Sequence, residues 1–448
     1  MIFLKILCIC IIGITSVYLF YKASGTLNPL KVNIISLSFY ELFIQIYIGS
    51  SLIWLGFTNH YMIKKIIFET TIDKSVLMVF YLMLTFPLPV IVLNKLFKIN
   101  VAELYTNYLK KETNICDEKT LFWIVLIICL MCLVSIVYVF IIIGEIPHLS
   151  IFTKSTEELA RFRIALKNEF KGNIYIRNIL ALFFTPAISY MTFIYAKCTR
   201  KKKWIVLFTI MFLASFIILT YDFEKAPLIR YILGFAIFII ILDNGIKLSK
   251  LLPIIVVSLV AIIVMYVVFS GYDFSTFSIT SGPIGRILFT PAGALFLHVD
   301  TFPQQVPYLN GRSFSQKLRM IFGSTAEQLR SGEVVMEVYN YYDKVIRKTA
   351  GVVNAVFIGE AYANFGYIGL FLSTLYVGTL FGAIFLIFLK LPKDTINVWF
   401  FSILTLQFTN TLLGGFVDFI YNPGLFILGI LFITMRIILN YKCRLCRY

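Results

Sequence analysis

Charge is scarce in this 448-residue chain. Only 14% of its residues are Asp, Glu, Lys or Arg, against 59% hydrophobic, whereas a soluble domain carries about a quarter charged. The composition excludes a soluble protein and reads as a multi-span membrane protein. Histidine is nearly absent, at His60, His148 and His298 only. No Walker A loop, HExxH, GxSxG or glycine-rich dinucleotide fingerprint occurs, which removes ATP-driven pumping and zinc proteolysis. Internal repeats, low-complexity tracts and Pro/Gly/Ser linkers are also missing, so nothing marks off a separate soluble domain.

What fills the chain is apolar runs long enough to cross roughly 30 Å of hydrocarbon as helices. They fall at 2–21, 34–56, 76–97, 120–143, 175–196, 204–220, 226–242, 251–270, 366–389, 397–414 and 423–441. The expectation is an all-α polytopic membrane protein of about eleven spans. The first run ends in Tyr18, Phe20 and Tyr21 rather than a small-residue cleavage site, and reads as retained. Orientation follows from loop Lys/Arg bias. Placing KCTRKKK (197–203) inside also puts 243–250, 390–393 and the C-terminal tail inside, and puts 144–174, 221–225, 271–350 and 415–422 outside. Extended backwards, the rule sets Lys64, Lys65, Lys74 and the N-terminus outside, against the positive-inside trend, so that end is left open. The segments assigned outside hold no cysteine, which implies no disulfide. CRLC at 443–446 has metal-ligand spacing but lacks the second pair a zinc site needs, and reads as a reduced tail. The net charge of +17 is shared among inside loops and span ends facing anionic lipid, and is no nucleic-acid signal.

The chain thus reads as one membrane domain over 1–448 with a smaller outer loop at 144–174 and a large one at 271–350. In the smaller loop, Ser155 with Glu158 matches a capping box, and Leu159, Phe162 and Leu166 follow at helical spacing. In the larger, 287–299 is apolar but too short to span and is interrupted by Pro291 and Gly293, which suggests a re-entrant or interfacial piece. Phe314, Leu318 and Ile321/Phe322, and then Val334, Val338 and Tyr341/Tyr342, suggest two surface helices roofing a cavity.

The outer loops are where chemistry is expected. Arginine grips phosphate oxygens bidentately, so Arg161, Arg163, Arg286, Arg312 and Arg319 are candidates to bind a diphosphate without a metal. Each could equally snorkel to lipid phosphate or pair with Glu157, Glu158, Glu333 or Glu337. Arg161 and Gly172, and Arg312 and Gly323, share one spacing, with ten residues between. Asp222-Phe-Glu224 is an acid pair of the kind that holds a cation, weakened by the adjacent Lys225; no metal or other cofactor is expected. For a base, Glu360 stands out, because a carboxylate bordering hydrocarbon is costly unless it faces a polar cavity or caps a helix. His298 and Asp300 come next, while Asn364, Gly366 and Gly369 read as shaping the helix start.

The elements GTLNPLKVN (25–33), EKAPLIRY (224–231), GRILFTPAG to FP (285–303), YLNGRSF (308–314) and GEAYANFGYIG (359–369) together resemble the Wzy-type oligosaccharide repeat-unit polymerases, the O-antigen polymerases. Arginine-x10-glycine elements in two outer loops belong to that family, and Arg161 with Gly172 and Arg312 with Gly323 match them. The resemblance implies a GT-C-like, metal-independent glycosyltransferase of the bacterial inner membrane with its C-terminus cytoplasmic. It would polymerise undecaprenyl-diphosphate-linked repeat units into a surface polysaccharide, alongside a flippase and a chain-length regulator. An O-antigen ligase would share this chemistry. A flippase or secondary transporter would need repeats and midplane charges, and only Glu41 in the second span is a fair candidate for the latter.

Overall fold

The computed structural model describes residues 2–150, 153–154, 156–270, 280, 282–321, 323, 325–347 and 350–445. Ser155, Phe322, Cys446, the whole of 271–279 and its neighbour 281 lie outside them, so the capping box and the CRLC pair are not described. Among the described residues every element is helical apart from one isolated bridge between Asn114 and Asp394. Among the described residues nine helices are long and apolar enough to cross a membrane. The chain is a multi-pass membrane protein. The two other expected spans are the helices Leu248–Ser270 and Thr395–Thr411; the latter has 17 residues, and side chains beyond Val260 are not described in the former.

Glu118–Ile143 shows how composition specifies such a helix. Leu121, Val125, Cys129, Cys132, Ile136 and Val139 form one buried stripe. The opposite stripe, Trp123, Ile127, Leu130, Val134, Val137 and Ile141, is exposed yet just as apolar. A helix apolar all round, with protein on one side only, suits lipid on the other. Asp117 caps its first turn through Thr120 N–H, and Gly144 ends it at φ 78°.

The chain divides into two compact units, each assembled from separated segments. The first takes 1–106, 273–389 and 405–421. Phe20, Phe39, Phe86 and Phe381 chain their rings through its centre, and Gly378 and Gly382 let their helix close onto Phe86 and Val90. Local contacts sort its ends. Lys5 donates to Trp54 O at one end, while Asn94 donates to Ala23 O at the other. The apolar piece expected at 287–299 is two helices, Gly282–Leu288 and Thr290–Thr301, with Pro291 at the start of the second, where its missing N–H is harmless. Residues 292–301 are all buried. The expected surface helices are shorter than their patterns: Gln316–Ile321, and then Ser331–Tyr339 followed by a π turn at Tyr342–Ile346.

The second unit takes 107–272, 390–404 and 422–448. Its core stacks Tyr195 on Trp204 at 4.4 Å and Tyr190 on Phe238 at 4.5 Å, and Trp399 Nε1 donates to Ala187 O at 2.7 Å. Buried Asp394 accepts from Arg436 at 2.6 Å, and Lys393 donates to Leu109 O and Lys111 O, which ties the segment after Thr106 to the 390–394 turn.

Candidate functional site

The helix Phe357–Lys390 is broken. Gly366 sits at φ 62°, ψ −145°, a conformation open only to glycine. Gly369 lies against Ala361 O, so the nine residues before the break fold back on the span that follows. Breaking a helix leaves carbonyls without intrahelical donors, and here the YLNGRSF segment supplies them. Leu309 N–H donates to Ala363 O at 2.9 Å and Asn310 N–H to Asn364 O at 3.0 Å.

The sequence of that segment explains its shape. Asn310 at φ 49° and Gly311 at φ 84° occupy the centre of a turn closed by Arg312 N–H to Leu309 O at 3.0 Å. Positive φ at both central positions, filled by Asn-Gly, is the type I′ signature. Asn364, 1% exposed, fastens the turn: its Oδ1 accepts from Gly311 N–H at 3.1 Å and Ser313 N–H at 3.4 Å. Its Nδ2 donates to Ser313 Oγ at 2.9 Å and back to Glu360 O at 2.8 Å. Tyr308 packs its ring on Gly366, where a side chain would meet it at 3.0 Å, and sits edge-on to Tyr362.

Glu360 stands in the first turn of this short helix. Its Oε2 accepts from Val417 N–H at 3.1 Å, in the loop that follows Thr411, and Phe357 N–H donates to Leu412 O at 3.0 Å. Gly415 lies directly against the carboxylate, so a side chain there would displace it. Asp418 and Arg330 lie close enough to act on its charge. The fold therefore brings together two carboxylates and Arg330 at the start of Ser331–Tyr339, and Asn364, one helical turn on from Glu360, links them to the Arg312 turn. Arg312 Nε is spent on Glu327 O at 3.1 Å, but among the described residues its two terminal nitrogens have no partner.

The other expected residues are placed differently. Asp300 is fully buried and accepts from Ile67 N–H at 2.9 Å, Phe68 N–H at 3.0 Å, Thr71 Oγ1 at 2.5 Å and the Tyr339 hydroxyl. With its lone pairs taken it is a tie between three segments rather than a base, and burial, with the Asp300 carboxylate second, pushes the Tyr339 phenol up. His298 is fully buried between Ala294 O at 2.8 Å and Ser331 Oγ at 3.3 Å, and burial pushes it down to about 4. Arg319, 5% exposed, donates to Phe314 O and Ala326 O and holds its own loop together. Arg286 is exposed on Gly282–Leu288.

In the second unit the helix Thr156–Asn168 forms as expected, with Arg161 exposed and Arg163 paired with Glu224 at 3.7 Å. Asp222 Oδ1 accepts from Glu224 N–H at 3.2 Å, which gives that acid pair a turn-forming role. The two glycines of the shared spacing do different work. Gly323 takes φ 74° in open space, whereas Gly172 lacks a positive φ and is hemmed in by Phe170 and Tyr138. Sequence reading passed over Arg177, which is buried, donates to Leu166 O at 2.8 Å and lies over the Phe170 ring. It also gave no site role to Arg330, and passed over Gly415 and Asp418, whose only signal was LLGGFVDF, a polar interruption between two apolar runs.

No family model matches the chain, and neither the curated proteins nor the solved structures offer a match to it.

Proposed function

We propose that this chain is a Wzy-type polymerase, a membrane glycosyltransferase that joins undecaprenyl-diphosphate-linked oligosaccharide repeat units on the outer face of the bacterial cytoplasmic membrane. The observation that carries the reading is Glu360 at the start of a broken helix, beside an arginine and docked to an arginine-bearing turn. Discontinuous membrane helices with freed backbone groups are tolerated where they line a cavity or are buried in protein. On this reading eleven helical passes put the Lys5, 60–69 and 271–350 segments on the outer side, and the basic 197–203 and 390–393 loops inside.

The hydroxyl at the non-reducing end of a lipid-linked repeat unit attacks the anomeric carbon of the growing glycan. The bond from that carbon to the diphosphate breaks, and undecaprenyl diphosphate leaves with the electron pair. Glu360 takes the hydroxyl proton. Arg312 and Arg330 hold the charge that develops on the diphosphate. Asp300 and His298 enter only as scaffold.

The test is polymer formation by the purified full-length protein in nanodiscs from defined lipid-linked repeat units. Glu360→Gln should lose polymerisation by about 100-fold or more, the usual scale for a general base, at unchanged protein level. Full activity in Glu360→Gln removes the base assignment. In a deletion strain, single capped repeat units support polymerisation, long polymer left on carrier lipid indicates a ligase, and repeat units trapped inside indicate a flippase.

A further inference from the structure

Two ties fix where the helix Ser331–Tyr339 ends. The Tyr339 hydroxyl donates to Asp300, whose carboxylate also takes Ile67 N–H, Phe68 N–H and the Thr71 hydroxyl. Lys65 Nζ donates to Tyr339 O at 3.0 Å. The membrane-crossing segment Thr70–Leu96 begins among these residues, with Thr71 in its first turn. Tyr341 and Tyr342 follow Tyr339 by two and three residues, a reach of at most roughly 11 Å. The turn Tyr342–Ile346 is therefore held beside the end of a span, where hydrocarbon gives way to headgroups.

The surface that this turn presents is apolar. Tyr341, Tyr342, Val345 and Ile346 are 57%, 55%, 39% and 61% exposed, and their i, i+1, i+4, i+5 spacing puts them on one face. Ile67 and Tyr61 are exposed on the neighbouring segment that holds Tyr339 in place. Scattered apolar side chains on a wet surface need no explanation, but a contiguous patch marks an interaction site. Its charges lie along the edge. Arg347 sits 4.8 Å over the Tyr342 ring and 3.8 Å from Asp343, Lys344 lies in the turn itself, and Lys64 is exposed on the neighbouring segment. Lys64 and Lys65 are also the lysines whose placement ran against the positive-inside trend. Lys65 is accounted for by Tyr339 O, and Lys64 joins the basic edge. Tyrosines and long basic side chains together are the composition of a membrane–water boundary, where the stems lie along apolar surface and the cations reach lipid phosphate.

We infer that residues 341–346 form an anchor that enters the lipid leaflet beside the Thr70–Leu96 span without crossing it. Tyr341, Tyr342, Val345 and Ile346 lie among the upper acyl carbons, and Lys64, Lys344 and Arg347 lie at the phosphates. Phospholipid is the occupant because the face is tied to the end of a membrane-crossing helix. The helix that starts at Arg330 is then held in lipid at its far end. The anchor stands whether or not the polymerase reading does, since it shares no residue with Glu360's surroundings.

The test is photo-crosslinking of the full-length protein in nanodiscs of phosphatidylglycerol and phosphatidylcholine. The photoreactive residue p-benzoylphenylalanine is placed in turn at Tyr342, at Ile346 and at Glu327, an exposed polar residue of the same large loop. Mass spectrometry of the peptides should find phospholipid adducts at Tyr342 and Ile346 and none at Glu327. The double variant Tyr341→Asp with Ile346→Asp sets two charges on the apolar face at exposed positions, so protein level should hold while the lipid adduct at Tyr342 is lost. Absence of lipid adducts at both anchor positions, equal labelling at all three, or an adduct at Tyr342 undiminished in the double variant overturns the inference. Crosslinks from Tyr342 to a second copy of the chain in place of lipid also overturn it, and assign the face to an interface between copies.

Discussion

Asn364 is the joint between the Arg312 turn and the helix bearing Glu360, and its removal should loosen one from the other. Its side chain makes four hydrogen bonds, of which three, at 2.8, 2.9 and 3.1 Å, are well formed. At about 0.5–1.5 kcal/mol net for each, Asn364→Ala costs about 2–4 kcal/mol. The loss should be local, because the membrane-crossing helices do not depend on these bonds. It converts to an open fraction of the 309–313 turn raised by about 30- to 1,000-fold. Hydrogen exchange on the purified protein reads this directly: the amides of Leu309, Asn310, Gly311 and Ser313 should exchange faster by that factor, while those within the spans keep their protection. Asn364→Asp retains the acceptor but loses both donations and sets a charge beside Glu360 O, so it should be no better than alanine. Unchanged exchange across 309–313 in Asn364→Ala would refute the joint.

Gly366→Ala should fail wherever Asn364→Ala merely loosens, since φ 62°, ψ −145° is closed to alanine and the methyl meets Tyr308; adding Tyr308→Ala should not restore expression, and recovery in that double variant would show that the clash, not the backbone, was decisive. Asp300→Asn puts an amide where donors converge and should cost about 3 kcal/mol, seen as faster proteolysis within 60–70; a stable protein that has lost activity alone would return Asp300 to the chemistry. His298 and His60 are both pushed down by burial to about 4. The unfolded chain therefore binds protons that the folded one refuses as pH falls from about 6.5 to about 4, so stability drops across that window and is insensitive to either ring above it. His298→Asn should flatten the drop in a thermal scan from pH 7 to 4, and an unchanged slope would contradict the burial of that ring.

Much of the architecture was legible because membrane helices answer to composition. Hydrocarbon leaves the backbone no partner but itself, so about twenty apolar residues dictate a helix whatever surrounds them. The YLNGRSF turn was legible in principle for the same local reason, since Asn-Gly prefers positive φ at both positions. Short surface helices were read too long: Ser331–Tyr339, for one, ends at Asn340, whose φ of −145° leaves the helix while the side-chain periodicity continues.

The candidate site was legible only in part. Glu360 drew notice because a carboxylate beside an apolar run is expensive, and Gly366 because a glycine pair opens the following span. That Asp300, His298 and Arg319 are occupied as struts depends on partners up to 233 residues away in sequence, such as Ile67 for Asp300. Arg330, Gly415 and Asp418 were invisible beside Glu360 for the same reason. The sequence by itself determined a helical, multi-pass membrane chain with basic loops and a polar segment rich in arginine, because hydrophobicity and loop charge act residue by residue. Which of the polar groups are satisfied, and which are left facing a cavity, only the tertiary structure decided, because hydrogen bonding and electrostatic proximity are set by distance in space.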